Sequence, residues 1–350
     1  MFIINNNNNN IGVNNMNNLK KVGLTALAGS LALTSAYAGE VTVAGGASMT
    51  VQHVNGGAAN AGKTFKMGNQ LTFTGGGELD NGLNVSISFV LDQGDDSTGT
   101  AVSSATAVAS NGPFDSHSIK VSSDSWGSLT MAGEGGSSAQ AAVDTTAAGD
   151  LWDTTLGIST SQDPHASAGA SGMLIYSLPS LMDGLAINAS YTPKGTGADN
   201  STAYALIYTG VEGLSLTYAS GTNNATAGGE DTTKTMKASY AYGPVTVGWS
   251  STEHDSKDNG TGGDNDQEVD SYSISYTVSD SISLSYGQDT ISEPLDTDDA
   301  DIEVSGITAS YTAGGMTISA AMISADNVDM VANSSTNERD KWSLSASFAF

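Results

Sequence analysis

Hydrophobic residues alternate with polar or small residues through most of the chain after residue 40. The last ten residues, 341–350, read KWSLSASFAF, with Trp342, Leu344 and Phe348 on one face of an extended strand and serines on the other. A repeat of two residues is the period of a β-strand whose two faces meet different surroundings. We therefore predict an all-β protein.

The alternating segments come in pairs, joined in turn by a short and a long connection. We count sixteen of them, which include Val41–Val51, Phe65–Phe73, Leu83–Leu91, Ile119–Val121, Leu129–Met131, Leu174–Leu178, Leu185–Tyr191, Tyr204–Tyr208, Leu214–Tyr218, Met236–Tyr242, Val245–Trp249, Tyr272–Val278, Ile282–Tyr286, Ile307–Tyr311, Met316–Met322 and Trp342–Phe350. Seven short turns and eight longer loops follow from this count, with both ends of the barrel on the short-turn side.

An even number of strands with alternating short turns and long loops is typical of a transmembrane barrel. Closure also solves the problem of the last strand, whose edge would otherwise expose unpaired N–H and C=O groups. Only 38% of the residues are hydrophobic and the mean hydropathy is −0.15, which a barrel tolerates because only alternate side chains face lipid. We predict a 16-stranded antiparallel transmembrane β-barrel. A soluble sandwich or propeller is the alternative, although Ser, Thr and Gly would make it a poor core.

The start of the chain differs from the rest. Residues 1–15 are rich in Asn, and we expect that this extension is not translated or is removed, with initiation at Met16. Residues 16–38 have two lysines, an apolar stretch over Val22–Leu33 and a small-x-small end, which is the pattern of a secretory signal peptide rather than of a short anchor helix. The mature barrel is then 39–350.

Charge and cysteine content exclude several classes of function. The net charge is −26, from 37 acidic and 11 basic residues. Such a chain is unsuited to nucleic acid, whose binding depends on Lys and Arg. Cysteine is absent, so there is no disulfide framework, thiolate nucleophile or Cys-based zinc site.

In the order of its predicted strands, the chain resembles the general bacterial porins, which are common in alphaproteobacterial outer membranes. The passages that carry the resemblance are EVTVAGGASMT, NQLTFTGGGELDNGLNVSISF, LIYSLPSLMDGLAINASY and the terminal FAF. The resemblance implies a homotrimer of 16-stranded pores in the outer membrane, in contact with lipid and lipopolysaccharide. It also implies that the terminal strand, ending in Phe350, is the signal that the barrel-assembly machinery reads.

The longest connection, residues 134–170, is the third of the long loops. It carries acidic residues and no Lys or Arg; its titratable residues include Glu134, Asp144, Asp150, Asp153, Asp163 and His165. In the porins that the chain resembles, this loop folds into the lumen and sets the constriction. The alternative is that the acidic loop faces outside water.

The opposing wall of the pore is short of positive charge. Strand parity places Lys66, Gln70 and Lys120 on the luminal side, and the two lysines are the only good candidates for a basic wall. This departs from the several basic residues common in porins; the only arginine is Arg339. A negative pore concentrates cations and excludes anions, so we predict passive diffusion of small hydrophilic solutes and ions with cations preferred.

No cofactor is expected. Two acidic runs in predicted outer loops do not have EF-hand spacing, although they could hold Ca²⁺ or Mg²⁺ weakly; their members are Asp255, Asp258, Asp264 and Asp266, then Asp296, Asp298, Asp299 and Asp301. Residues 57–64 match the P-loop pattern, but a strand pattern follows where the nucleotide site needs a helix.

Two other functions stay open for an outer-membrane barrel. One is an enzyme such as a phospholipase; the chain has no G-x-S-x-G elbow, and none of its histidines, His53, His117, His165 and His254, has an evident Ser partner. The other is a structural or adhesive barrel whose outer loops bind a partner.

Overall fold

The structure, a computed structural model, describes most of the predicted barrel. The described residues are 41–56, 62–92, 96–98, 114–152, 167, 171–193, 200–224, 230–256, 266–293, 300–328, 330 and 338–350. The predicted extension and signal peptide lie outside these residues.

The described chain is almost entirely β-structure. Its strands are β1 (Thr42–Asn55), β2 (Gly62–Glu78), β3 (Asn84–Asp92), β4 (Asp96–Thr98), β5 (Phe114–Ser123), β6 (Gly127–Glu134), β7 (Met173–Ser177), β8 (Leu185–Thr192), β9 (Asn200–Tyr208), β10 (Leu214–Asn224), β11 (Glu230–Tyr242), β12 (Val245–Asp255), β13 (Gln267–Ser279), β14 (Ile282–Ser292), β15 (Ile302–Ala313), β16 (Met316–Asp326) and β17 (Arg339–Ala349). One 3₁₀ turn, Ala141–Val143, lies between β6 and β7. No helix within the described ranges is long and apolar enough to cross a membrane.

Antiparallel pairing closes these strands into a ring. Each long strand pairs with the next, and β17 returns to pair with β1 from Gly46↔Ala349 to Asn55↔Asp340. β3 pairs with β5, so β4 is an additional short strand and the closed barrel has sixteen. The predicted fold class is confirmed.

The short strand β4 was not predicted. β2 is longer than β3, and the pairing of β2 with β3 begins at Gln70. Asp96–Thr98 pairs with the part of β2 beyond that point, Phe65 to Met67. The extra pairing supplies partners to backbone groups that would otherwise form an open edge.

The two faces of the wall differ as the alternation predicted. Large apolar side chains stand exposed on one face, such as Met322 at 70% and Leu344 at 50%. The opposite face carries hydroxyl groups that hydrogen-bond between neighbouring strands, as between Thr50 and Ser345 at 2.9 Å. An apolar outer band around a polar interior is the organisation of a barrel that spans a membrane.

The seven short turns occur where the sequence predicted them, between β2 and β3, β5 and β6, β7 and β8, β9 and β10, β11 and β12, β13 and β14, and β15 and β16. Gly213 shows why such turns need glycine. Its φ is +75°, and a Cβ there would lie 2.3 Å from the carbonyl oxygen of Ala241. A larger residue would be strained by its backbone angle and by this contact.

Candidate functional site

The third loop, which joins β6 to β7, lies against the polar face of the wall. Four of its backbone N–H groups donate to side chains on four strands, at 2.8 or 2.9 Å: Ala139 to Ser190, Ala147 to Ser250, Ala148 to Ser271 and Leu151 to Asp289. These contacts satisfy backbone groups that a loop away from water could not leave unpaired. The side chains that accept these bonds run from β8 to β14.

Small residues in the wall allow this close approach. A Cβ on Gly287 would lie 2.5 Å from the Cβ of Ala148, and one on Gly306 would lie 3.4 Å from Leu151. Gly287 and Gly306 lie on the polar face because their neighbours Tyr286 and Ile307 are exposed on the apolar face. Glycine in a strand interior often marks close approach of another chain segment, and here that segment is the third loop.

Leu151 also anchors the loop in an apolar cluster on the same face. The buried members are Leu151, Val269, Ile291, Ile302, Val304, Ile323, Ala325, Val328 and Met330. Val328 and Met330 come from the connection after β16, so this connection and the third loop share one small core. This cluster was not predicted from the sequence, although apolar residues at luminal positions of β13 to β16 would have indicated it.

The first part of the loop is fixed by a polar network. The Gln140 side chain donates to Thr235 Oγ1 at 2.9 Å and accepts from the Ser167 N–H at 2.8 Å. The hydroxyls of Ser138 and Ser167 hydrogen-bond at 2.5 Å. Since Gln140 is fully buried, these bonds offset the cost of removing its amide from water.

Asp150 is held in a tight turn. Its Oδ1 accepts from the Thr146 N–H, and its own N–H donates to Thr146 Oγ1, both at 2.8 Å. Its φ of +54° is a left-handed conformation that Asp adopts more readily than most residues. The paired bonds stabilise this conformation and fix the direction of the carboxylate.

Asp144 lies close enough to Asp150 and to Lys237 of β11 for their charges to interact. Partial burial, and then the neighbouring carboxylate of Asp150, raise the pKa of Asp144 to about 6, against the opposing effects of Lys237 and of local backbone hydrogen bonds. The Lys237 amine also donates a hydrogen bond to the carbonyl oxygen of Thr145. The structure thus brings together two predicted loop carboxylates and one unpredicted lysine.

Of the other predicted loop residues, the structure describes Glu134. Glu134 ends β6, where its carboxylate is 3.9 Å from the His117 ring on β5. Asp153, Asp163 and His165 lie outside the described residues. Among the predicted loop carboxylates, the structure therefore describes Glu134, Asp144 and Asp150.

Lys66, Gln70 and Lys120 lie on the polar face of β2 and β5. Their face follows from the alternation along each strand, because Met67 and Ile119 are exposed on the apolar face. In the ring of sixteen strands β2 is directly opposite β11, because eight steps separate them in either direction. Lys66 therefore lies on the wall opposite β11, the strand that carries Lys237.

A cavity of about 510 Å³ lies between the third loop and the wall. It is lined by the loop residues Thr146 to Gly149, by Lys237, and by hydroxyl groups on six strands, β10 to β15, those of Ser215, Thr217, Ser239, Thr246, Ser273, Ser275, Ser285 and Thr308. The third loop thus narrows the lumen and leaves a cavity between itself and the wall.

The geometry agrees with comparisons to known proteins. The model of the Gram-negative porin family matches residues 23–350. The chain belongs to this family. It is a multi-pass protein of the bacterial outer membrane.

Solved porin structures share the fold. The chain is similar to an anion-selective porin from Comamonas acidovorans, with a TM-score of 0.66 and 13% identity over 89% of this chain and 99% of that one. It is also similar to a trimer form of OmpT, an outer membrane protein of Vibrio cholerae, with a TM-score of 0.64 and 12% identity over 90% and 100%. At these identities the likeness concerns the fold alone. No curated protein matches the chain.

The expectation that Lys66 and Lys120 were the only good basic candidates in this porin is wrong. Lys237 lies on the polar face between the exposed residues Met236 and Tyr240, and it contacts the third loop. Arg339 and Lys341 also lie on the polar face, because they alternate along β17 with Trp342, which is exposed on the apolar face. The alternation around Met236 would have predicted the position of Lys237, but only the fold shows that the third loop reaches it.

Other candidate chemistry has little support in the described part of the porin. There, no group of three or more His, Asp or Glu side chains could hold a metal ion; several members of the two acidic runs lie outside it. Of the P-loop match, Gly62, Lys63 and Thr64 belong to strand β2 and not to the start of a helix. The described contact of the His254 ring is with Thr233 Oγ1, at 3.0 Å.

Proposed function

We propose that this porin is a homotrimer in which each barrel lets small hydrophilic solutes and ions diffuse passively, with cations preferred. No covalent step is involved. The rate and the selectivity come from the width of the constriction and the fixed charges that line it.

The observation that carries this proposal is the docking of residues 138–151 on the polar face. A 16-stranded barrel leaves an aqueous channel, and a segment held from β8 to β14 narrows it. Lys66, Gln70 and Lys120 approach the remaining space from the opposite wall. We propose that solutes pass between these two sides.

Cation preference is supported by the local balance of charge. Residues 134–170 include Glu134, Asp144, Asp150, Asp153 and Asp163 and no Lys or Arg, and the whole chain carries −26. Salt screens distant charges over about 10 Å at 0.1 M, so the charges near the constriction matter most. The Comamonas porin is anion-selective, but likeness of fold does not determine the sign of charge in this pore.

Planar-bilayer recording tests the proposal. With a tenfold KCl gradient across the bilayer, we expect the reversal potential to have the sign of K⁺ preference, because the constriction attracts cations. Asp144→Asn combined with Asp150→Asn should shift the potential towards zero. A reversal potential of the opposite sign would contradict the cation preference. A single insertion should close in three equal steps if the porin is a trimer, and one step would contradict that part.

The proposal also includes partners of the barrel outside the pore. Lipid and lipopolysaccharide would surround the apolar face, the assembly machinery would read the strand that ends in Phe350, and Ca²⁺ or Mg²⁺ could screen the acidic outer loops. An enzyme or an adhesive barrel would require either a catalytic group or a filled lumen. Neither is favoured by the described residues, in which a hydroxyl-lined cavity adjoins the loop.

A further inference from the structure

Lys237 differs in its surroundings from Lys66 and Lys120, the lysines predicted for the pore wall. It lies on the polar face of β11, on the side of the lumen where the third loop docks. Its amine donates to the Thr145 carbonyl oxygen, between the two loop carboxylates in sequence, and it lines the cavity beside the loop. It is therefore a cation placed next to the acidic loop rather than opposite to it.

The charge of Lys237 acts on a small group of carboxylates. Asp144 and Asp150 both interact electrostatically with Lys237. Asp150 also interacts with Asp289, the buried carboxylate of β14 that accepts the Leu151 N–H. A single amine thus offsets part of the negative charge that the loop presents to the channel.

We propose that Lys237 is a specificity-determining residue, which limits the cation preference of this porin by neutralising part of the charge of Asp144 and Asp150. The proposal rests on the function proposed above and deepens it. Lys66 and Lys120 act from the other wall, across the channel through which the ions pass. Removing Lys237 leaves the loop carboxylates without the amine that contacts their loop.

The size of the effect follows from Coulomb's law. A unit charge about 7 Å from a passing ion in water changes the local ion concentration by about threefold. We therefore expect Lys237→Gln to raise the permeability ratio of K⁺ to Cl⁻ by about twofold or more. Glutamine retains a donor for the Thr145 carbonyl oxygen, so the variant removes the charge and can keep the contact.

The chain offers a matched control on the same strand. Lys234 lies on the opposite face of β11, where its amine is 3.9 Å from Glu253. Lys234→Gln changes the net charge by the same amount outside the lumen, so its permeability ratio should equal that of the parent. Lys237→Arg retains the charge, and its ratio should also stay near that of the parent.

Reversal potentials of the purified variants in a KCl gradient decide the matter, with single-channel conductance recorded alongside. A ratio that rises in Lys237→Gln alone supports the proposal. An unchanged ratio in that variant, or an equal rise in Lys234→Gln or Lys237→Arg, overturns it. A parent protein without any conductance would instead refute the proposed function.

A second variant keeps the test decisive if Lys237→Gln does not fold. Lys237→Gln combined with Asp144→Asn removes one charge of each sign and leaves no additional uncompensated carboxylate. Its permeability ratio should return to near the parent value, whereas Asp144→Asn alone should fall below it. A double variant that stays at the value of Asp144→Asn would show that Lys237 does not act on selectivity.

Discussion

Asp144 shows how much a single loop residue depends on its surroundings. In the sequence it is one of several carboxylates in an acidic loop. In the structure it is partly buried near Asp150, and its pKa is raised to about 6. Among the described residues, Asp150 on the same loop, Lys237 on β11 and the buried Asp289 on β14 are charged groups that face this part of the loop. The charge of Asp144 therefore changes in a pH range in which ordinary carboxylates stay ionised.

We predict a pH-dependent selectivity from this residue. Asp144 is charged above about pH 6 and neutral below it, so the K⁺ preference should fall between pH 7.5 and pH 5. Because the pKa is raised in the folded state, the folded protein holds this proton more tightly than the unfolded chain. The contribution of Asp144 to stability therefore decreases as the pH rises from about 4 to about 6.

Reversal potentials measured across this pH range test the prediction. Asp144→Asn should lose most of the change between pH 7.5 and pH 5. Asp124→Asn, in the short turn between β5 and β6, serves as the control and should keep it. The same pH profile in the parent and in Asp144→Asn would show that another group titrates.

At the scale of elements, the third loop is a connection that docks on the polar face of the wall. Its described part is held by hydrogen bonds to β8, β12, β13 and β14 and by the apolar cluster around Leu151. Hydrogen bonds fix its register on the wall, and the burial of Leu151 adds an apolar contribution. The barrel strands do not need this loop for their own pairing.

We predict that Leu151→Ala loosens the loop and leaves the barrel closed. Removing a buried leucine typically costs about 2–5 kcal/mol, and here that cost falls on the docking of one loop. Single-channel recordings should show larger and noisier conductance than in the parent. Leu129→Ala is the control, since Leu129 is exposed on the apolar face of β6. Equal noise in both variants would exclude a specific role for the anchor.

At the scale of the whole molecule, closure depends on the two ends of the barrel. The Gly45 N–H donates to the Phe350 carbonyl oxygen at 2.7 Å, and the Phe350 N–H donates to the Gly45 carbonyl oxygen at 3.0 Å. The Phe350 ring covers Gly45 so closely that a Cβ there would lie 2.4 Å from it. Phe350 thus contributes both backbone pairing and a side chain on the apolar face.

We predict that these two contributions can be separated. Phe350→Ala keeps the backbone pairing, so the purified variant should refold in detergent nearly as well as the parent. If the ring is the assembly signal, the amount of this variant in the outer membrane should still fall severalfold. Deleting Phe350 removes the pairing as well and should also impair refolding. Normal amounts of Phe350→Ala in the outer membrane, measured by immunoblot, would refute the role of the ring.

The sequence alone determined the sixteen strands, their short turns and the two faces of the wall, because a period of two residues is a local property that each segment carries by itself. It could not place β4, because pairing with β2 beyond the end of β3 is decided by strand lengths in the sheet. It could not place the third loop either. The hydrogen bonds of Ala139, Ala147 and Leu151 reach partners 51, 103 and 138 residues away. Only the closed ring brings those partners, and Lys237 with them, next to the loop.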